Sequence, residues 1–245
     1  MKQGAFMDNQ GNETNKAKLG ADIKEYGAPL LPVSPIQVIS IIGQIEGHVN
    51  LPPENKATKY EHIIPQLVLI EQNPEVKGML LLMNTSGGDV EAGLALAEMI
   101  AGMSKPTVSL VLGGGHSIGI TLAVSTKYSF ITPTASVTVH PIRMNGTIIG
   151  VPQTFDYFDK MQQRIVRFIS SHSKISESEY RRLMMQTGGL ANDMGSVLVG
   201  REVVDCGIID EIGTFVDASR KLKSLAGMKD APTEKPKDFS DNNKQ

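Results

Sequence analysis

The chain has little sulfur chemistry. Cys206 is its one cysteine, so no disulfide can close within it, and no Cys/His cluster stands at zinc-ligand spacing. Neither a metal nor a cofactor is expected, and Cys206 itself reads as a buried structural residue. Charge of one sign is also missing: 24 Lys and Arg stand against 26 Asp and Glu, a net −2 that gives no general attraction for nucleic acid or anionic lipid. The short basic runs Arg181-Arg182 and Arg220-Lys221-Leu222-Lys223 read as solvated helix faces. No apolar run approaches the roughly 18 to 20 residues that span a bilayer, and the N-terminal stretch lacks the basic, apolar, small-residue succession of a secretory signal. A cytoplasmic location is therefore expected. A Gly-x-x-x-x-Gly-Lys-Ser/Thr phosphate loop is absent too, so any use of ATP must reside in a partner.

What is present is enough apolar material for one sizeable core: 40% of 245 residues are hydrophobic. Residues 1–28 and 228–245 are poor in apolar groups and rich in polar ones, Lys, Asn and Asp in both, and are expected to be disordered tails around a domain over 29–227. Apolar runs at 36–45, 78–83, 107–112, 128–131 and 136–140 read as strands. Val90, Leu94, Ala97 and Ile100 recur at helical spacing, which predicts a helix over 89–103 between two buried strands. That is a right-handed βαβ crossover, and its repetition gives an α/β fold with a largely parallel sheet. Phe155, Phe158, Ile165, Phe168 and His172 form a helical stripe over 154–172. Beyond it, Ser176 and Glu179 have capping-box spacing, with Ile175 and Tyr180 spaced as a hydrophobic staple.

The chemistry concentrates at Gly115-His116-Ser117-Ile118-Gly119, directly after the 107–112 run. A serine between glycines at a sharp strand-to-helix turn projects its hydroxyl from the backbone, and the next N–H helps bind a developing oxyanion. The short pattern alone also arises by chance in glycine-rich loops. His140 ends a strand in which Ser136, Thr138 and His140 share one face. An imidazole there can take the hydroxyl proton as Ser117 attacks a carbonyl, although a strand-end histidine can equally be satisfied by backbone or water. Asp193, in a loop-like stretch after a helix, is the candidate orienting carboxylate; a turn or cap is its other reading. The order serine, histidine, acid argues against an α/β-hydrolase, in which the acid precedes the histidine. Lys127, ten residues after Ser117, offers a Ser-Lys variant but lies near three helical turns away. Upstream, Asn84-Thr85-Ser86-Gly87-Gly88-Asp89 follows the 78–83 run. Its glycines suit the other half of an oxyanion hole or a platform for an extended peptide, or an ordinary turn with Asp89 as N-cap.

With these residues assembled, the chain resembles the proteolytic subunit of Clp protease, the ClpP family of serine peptidases, over about 36–216. The family's Asn-Ser-Pro-Gly-Gly pattern is similar to Asn84 through Gly88, its Ala-Ser-Met-Gly turn to His116 through Gly119, and its His-Gln-Pro to His140-Pro141-Ile142. Its Leu-Ser-Ala-x-Glu ending is similar to Leu198-Val199-Gly200-Arg201-Glu202. The resemblance implies a ClpP/crotonase-like fold of repeated ββα-type units with a protruding handle helix over the 154–172 stripe, docking subunits of facing rings. It implies Ser117 as nucleophile, His140 as base and the N–H groups of Gly88 and Ile118, with Gly87 adjacent, as the oxyanion hole. It also implies a homo-oligomeric ring and an ATP-dependent unfoldase as partner.

Departures fall close to the chemistry. Ser86 stands for proline, His116 for a small alanine, and Asp193 stands five residues before Leu198 where the family has three. The combination resembles the branch called translocation-enhancing protein, whose name implies a link to secretion of precursor proteins. The expected activity is serine endopeptidase cleavage of unfolded or short peptides through an acyl-enzyme. The rival accounts are an inactive ring-forming adaptor in protein export and a crotonase-type acyl-CoA enzyme.

Overall fold

The structure, a computed structural model, describes residues 34–143, 150–190 and 193–229. The expected tails 1–28 and 228–245 lie outside the described residues except for Met228 and Lys229. In chain order the elements are β1 (Ile36–Glu46), β2 (Ala57–Lys59), α1 (Tyr60–Gln72), β3 (Gly78–Gly88), α2 (Val90–Ala101), β4 (Thr107–Gly115), α3 (Gly119–Val124), β5 (Tyr128–Ile131) and β6 (Ser136–Val139). There follow α4 (Val151–Ser171), α5 (Glu177–Met184), β7 (Thr187–Leu190), β8 (Asp193–Met194), β9 (Ser196–Val199), α6 (Arg201–Asp205), β10 (Glu211–Ile212) and α7 (Phe215–Leu225).

Apolar residues at successive strand positions call for cover on both sheet faces, and β3 shows how it is provided. Met79, Leu81 and Met83 enter the main core with residues of α1, α2 and α3, whereas Leu80 and Leu82 face a smaller cluster closed by Ala218 and Leu222 of α7. The main path of the sheet runs β10-β5-β4-β3-β1-β2, and each of these pairs is parallel. The α/β fold with a largely parallel sheet is thus the one expected. β6 joins β4 through one pair, Gly114 with Ser136, and runs antiparallel to β9 over four pairs.

Helix ends follow local chemistry. Asp89 caps α2, its side chain accepting from the Ala92 N–H at 2.8 Å. The expected capping box at Ser176 is half formed: Ser176 Oγ accepts from the Glu179 N–H, but the Glu179 carboxylate turns to Arg182 Nε and Nη2 at 2.8 and 2.7 Å. A charge-assisted fork holds it more strongly than a neutral amide would. The complete box, which the sequence reading missed, is Thr214 with Asp217 at the start of α7. At the other end of α7, Gly227 takes φ +65° and the Met228 N–H reaches the Lys223 carbonyl, closing a Schellman turn.

The stripe on α4 divides in two. Met161, Val166, Phe168 and Ile169 are buried, whereas no side chain of residues 151–160 is, and Phe155 is 71% exposed. The first half of this helix therefore stands off the domain, as the handle expectation requires. Cys206 is half-buried rather than fully enclosed, and burial pushes its thiol pKa up.

Leu222 is the side chain by which α7 is anchored to the sheet. Leu222→Ala is expected to destabilise the domain by about 2–5 kcal/mol, while Leu225→Ala on the exposed side of the same helix should stay within about 0.5 kcal/mol. Denaturant titration of the two variants checks the contrast.

Candidate active site

The strands β3 and β4 end side by side, and both carry glycine where they do. β3 runs on through the Asn84 motif to Gly88 instead of turning after Met83, because its ladder with β1 continues past a register shift: Thr85 pairs with Gly43, Gly87 with Gln44, and Ser86 is left between them. Thr85 Oγ1 donates to the Gly43 carbonyl at 2.6 Å and accepts from the Gly87 N–H at 3.1 Å. A Cβ on Gly88 would overlap the Ile45 carbonyl, and one on Gly87, at φ +87°, would stand 2.8 Å from Ser117 Cβ and from the His116 carbonyl oxygen. These two glycines bring the β3 backbone against the serine.

Ser117 follows directly, at φ +56°. It is the one non-glycine residue with positive φ among the described residues. Holding a serine there costs on the order of 1–3 kcal/mol, so surrounding bonds must impose it. The Ser117 N–H donates to the Thr138 carbonyl at 2.9 Å, the His116 N–H to the Thr85 carbonyl at 3.1 Å, and the Gly119 N–H to the His116 carbonyl at 2.9 Å. α3 then begins at once, and its six residues are all buried. Ile118 is its N-cap, and the first helical N–H groups are bonded to the turn itself: Ile120 to the Ser117 carbonyl at 3.0 Å and Thr121 to the Ile118 carbonyl at 3.2 Å.

Gly88, Ser117, Ile118 and His140 line one cavity of about 140 Å³. Four of the five residues in the expected nucleophile, base and oxyanion set thus meet there, with the fifth, Gly87, packed behind Ser117. His140 Nδ1 lies 2.6 Å from the Pro141 carbonyl. Asp193 lies in β8, paired with Leu190 of β7; its side chain lies outside the described residues. Lys127 does not line the cavity: it is exposed beyond the far end of α3, its N–H on Thr107 Oγ1.

The sequence reading missed the rest of the lining, namely Val90, Pro141, Ile142, Arg143, Ile165 and Tyr180. Arg143 follows His140 by three residues, and that spacing was the signal available. Tyr180, read as half of a staple, is buried, and burial raises its phenol pKa, so it stays neutral. The segment after His140 is tied to α4 by the Ile142 N–H on Gln162 Oε1 at 3.1 Å. α4 is tied in turn to α2 by the two-pronged pair of Arg164 with Glu91, at 2.8 and 3.1 Å. Ile142 also lines a neighbouring cleft of about 380 Å³ with Phe155, Phe158, Met184 and Met185. An alcohol and an imidazole lining one cavity beside a mostly apolar cleft are groups suited to acyl transfer on an extended chain. Among the described residues no group of three or more His, Cys, Asp or Glu side chains is arranged to hold a metal ion, and no helix is long and apolar enough to cross a membrane.

Known proteins are similar to this chain over most of its length. The family model described as Clp protease matches residues 36–215. The translocation-enhancing protein TepA of Halalkalibacterium halodurans is 55% identical over 208 residues, 85% of this chain and 81% of that protein. More distant are two proteins named ATP-dependent Clp protease proteolytic subunit. That of Streptococcus uberis is 31% identical over 45% of this chain and 60% of its own length, and that of Lactococcus lactis subsp. lactis is 27% identical over 61% and 74%.

A side chain at position 87 would press on the serine turn directly. Gly87→Ala is expected to slow fluorophosphonate labelling of Ser117 by more than about tenfold, the factor that 1.4 kcal/mol of added strain supplies. Gly227→Ala, which also imposes strain at positive φ but has no atom within 4 Å of its new Cβ, should label at the wild-type rate. Mass spectrometry of time-quenched samples gives both rates.

Proposed function

The chain belongs to the Clp protease family, and we propose that it is a serine endopeptidase acting on unfolded or short peptides bound in extended form. The observation that carries the reading is the strained Ser117 turn opening on the same cavity as His140, Gly88 and Ile118. Ser117 attacks the scissile carbonyl while His140 takes its proton, and the N–H groups of Gly88 and Ile118 receive the oxyanion. His140 then returns the proton to the leaving amine, and water deacylates the enzyme by the same route reversed. Asp193 is assigned the orienting of His140, a role that requires Nδ1 to exchange the Pro141 carbonyl for the carboxylate. The apolar cleft beside Ile142 supports a preference for a large apolar side chain near the cleaved bond.

Assembly into a homo-oligomeric ring belongs to this reading, supported by the exposed first half of α4 with Val151, Phe155 and Tyr157. So does an ATP-dependent unfoldase or an export component as partner, since the chain carries no phosphate loop of its own. The likeness to a protein named for enhancing translocation directs the proposal toward precursor proteins bound for secretion. It also favours a second reading, a ring-forming export adaptor without peptidase activity. A crotonase-type acyl-CoA enzyme is disfavoured by a cavity built around a serine and a histidine, groups that chemistry does not need.

Wild type and Ser117→Ala are compared for fluorophosphonate labelling and for cleavage of a library of unfolded peptides. Labelling and cleavage by the wild type, both lost in Ser117→Ala, are expected. His140→Ala should retain about 10⁻² to 10⁻⁴ of the rate, the share that a positioned base supplies. Assembled wild-type rings inert in both assays would leave the adaptor as the function.

A further inference from the structure

We propose that His116 is a positioning residue: through Thr138 it clasps the strand that carries His140 to the turn that carries Ser117, and so sets the separation of nucleophile and base. The inference rests on the serine peptidase reading and adds a residue to its machinery.

The argument begins with how weakly β6 is joined to the rest of the sheet. Its ladder to β4 is one residue pair, Gly114 with Ser136, whereas four pairs join it to β9. Val137 and Val139 are buried and hold the strand down onto the core. Apolar contact is not directional, so it does not fix where the strand sits along its own axis. The ladder to β9 fixes β6 against that strand; against the serine turn the directional bonds that the structure shows are both at Thr138. Its carbonyl accepts the Ser117 N–H at 2.9 Å, and its hydroxyl meets His116 Nδ1 at 2.9 Å. Thr138 stands two residues before His140 on the same face of the strand. A clasp at Thr138 therefore places the base at a fixed distance from the nucleophile.

The surroundings of the His116 ring suit this task. The ring is half-buried and lies over Gly114, where a Cβ would come within 2.6 Å of Nε2; a side chain at 114 would evict it. Burial lowers the pKa of His116, and the charge of nearby His140 lowers it further. A neutral ring keeps one donor and one acceptor nitrogen, so Nδ1 can bond the Thr138 hydroxyl in either tautomer. Neutrality also means that no second cation opposes the imidazolium that forms on His140 as Ser117 is acylated.

The test is a double-mutant cycle on peptide turnover by the assembled protein, with His116→Ala, Thr138→Val, the pair together, and His116→Asn, whose Oδ1 stands near where Nδ1 does. His116→Ala and Thr138→Val are each expected to lower kcat about fivefold with KM within about twofold, the factor that the loss of one hydrogen bond of about 1 kcal/mol supplies. The double variant should be no slower than the slower single one, and His116→Asn should recover most of the rate. Wild-type kcat in His116→Ala overturns the inference, as do additive losses or an asparagine variant as slow as alanine. If His116→Ala fails to assemble, wild-type turnover in both His116→Asn and Thr138→Val supports nothing beyond packing and overturns the inference as well. A wild type that neither turns over peptide nor labels at Ser117 overturns the peptidase reading instead, and the clasp with it.

Discussion

The 2.9 Å bond from the Ser117 N–H to the Thr138 carbonyl is the contact on which the site depends. It holds a serine in a backbone region that costs on the order of 1–3 kcal/mol, and it does so from the strand that delivers the histidine. Strain and positioning are thus met by one bond: the turn cannot relax without letting go of β6. The bonds on either side, from His116 to Thr85 and from Gly119 to His116, tie the same turn back to β3 and into α3.

The parallel sheet makes this convergence available. Strands that run the same way bring their carboxyl ends to one edge, which is where open α/β sheets form clefts. β3 arrives with Gly87 and Gly88, β4 with the serine turn, and β6 with His140. The interior supports each arrival. Met79, Leu81 and Met83 hold β3 in the core, and the six residues of α3 are buried directly behind Ser117, so the nucleophile stands on packed structure rather than on a loop. Gly93 of α2 contributes from beneath, because a Cβ there would overlap Ile118 Cγ1 and lift the start of α3.

Most of the fold was legible because its signals are local. The 107–112 and 128–131 runs read as strands, and Asp89 before a 3.6-residue stripe as the start of a helix; all stand close to where they were read, although Leu112 at the end of the first run is exposed. Gly-x-Ser-x-Gly and the alternation around His140 identified two members of the cavity for the same reason. What escaped depends on tertiary neighbours. The continuation of β3 through Ser86 to Gly88 is set by pairing with Gly43 to Ile45, not by its own glycine-rich composition, which reads as a turn. The capping box at Ser176 failed because Arg182, one turn on, competes for Glu179. The half-burial of the α4 stripe at Met161 follows from where the domain surface ends, and no periodicity encodes that.

The strained serine also bears on the choice between a peptidase and an inert ring subunit. A glycine at 117 would adopt φ +56° without steric cost and keep every backbone bond of the turn, so the folded state alone gains nothing from a serine there. What the serine adds is a hydroxyl in a cavity whose other polar members are an imidazole, a guanidinium, a phenol and backbone N–H groups. An adaptor needs the surface of the molecule and not this interior. Strain at Ser117 weighs toward the proposed chemistry at that residue.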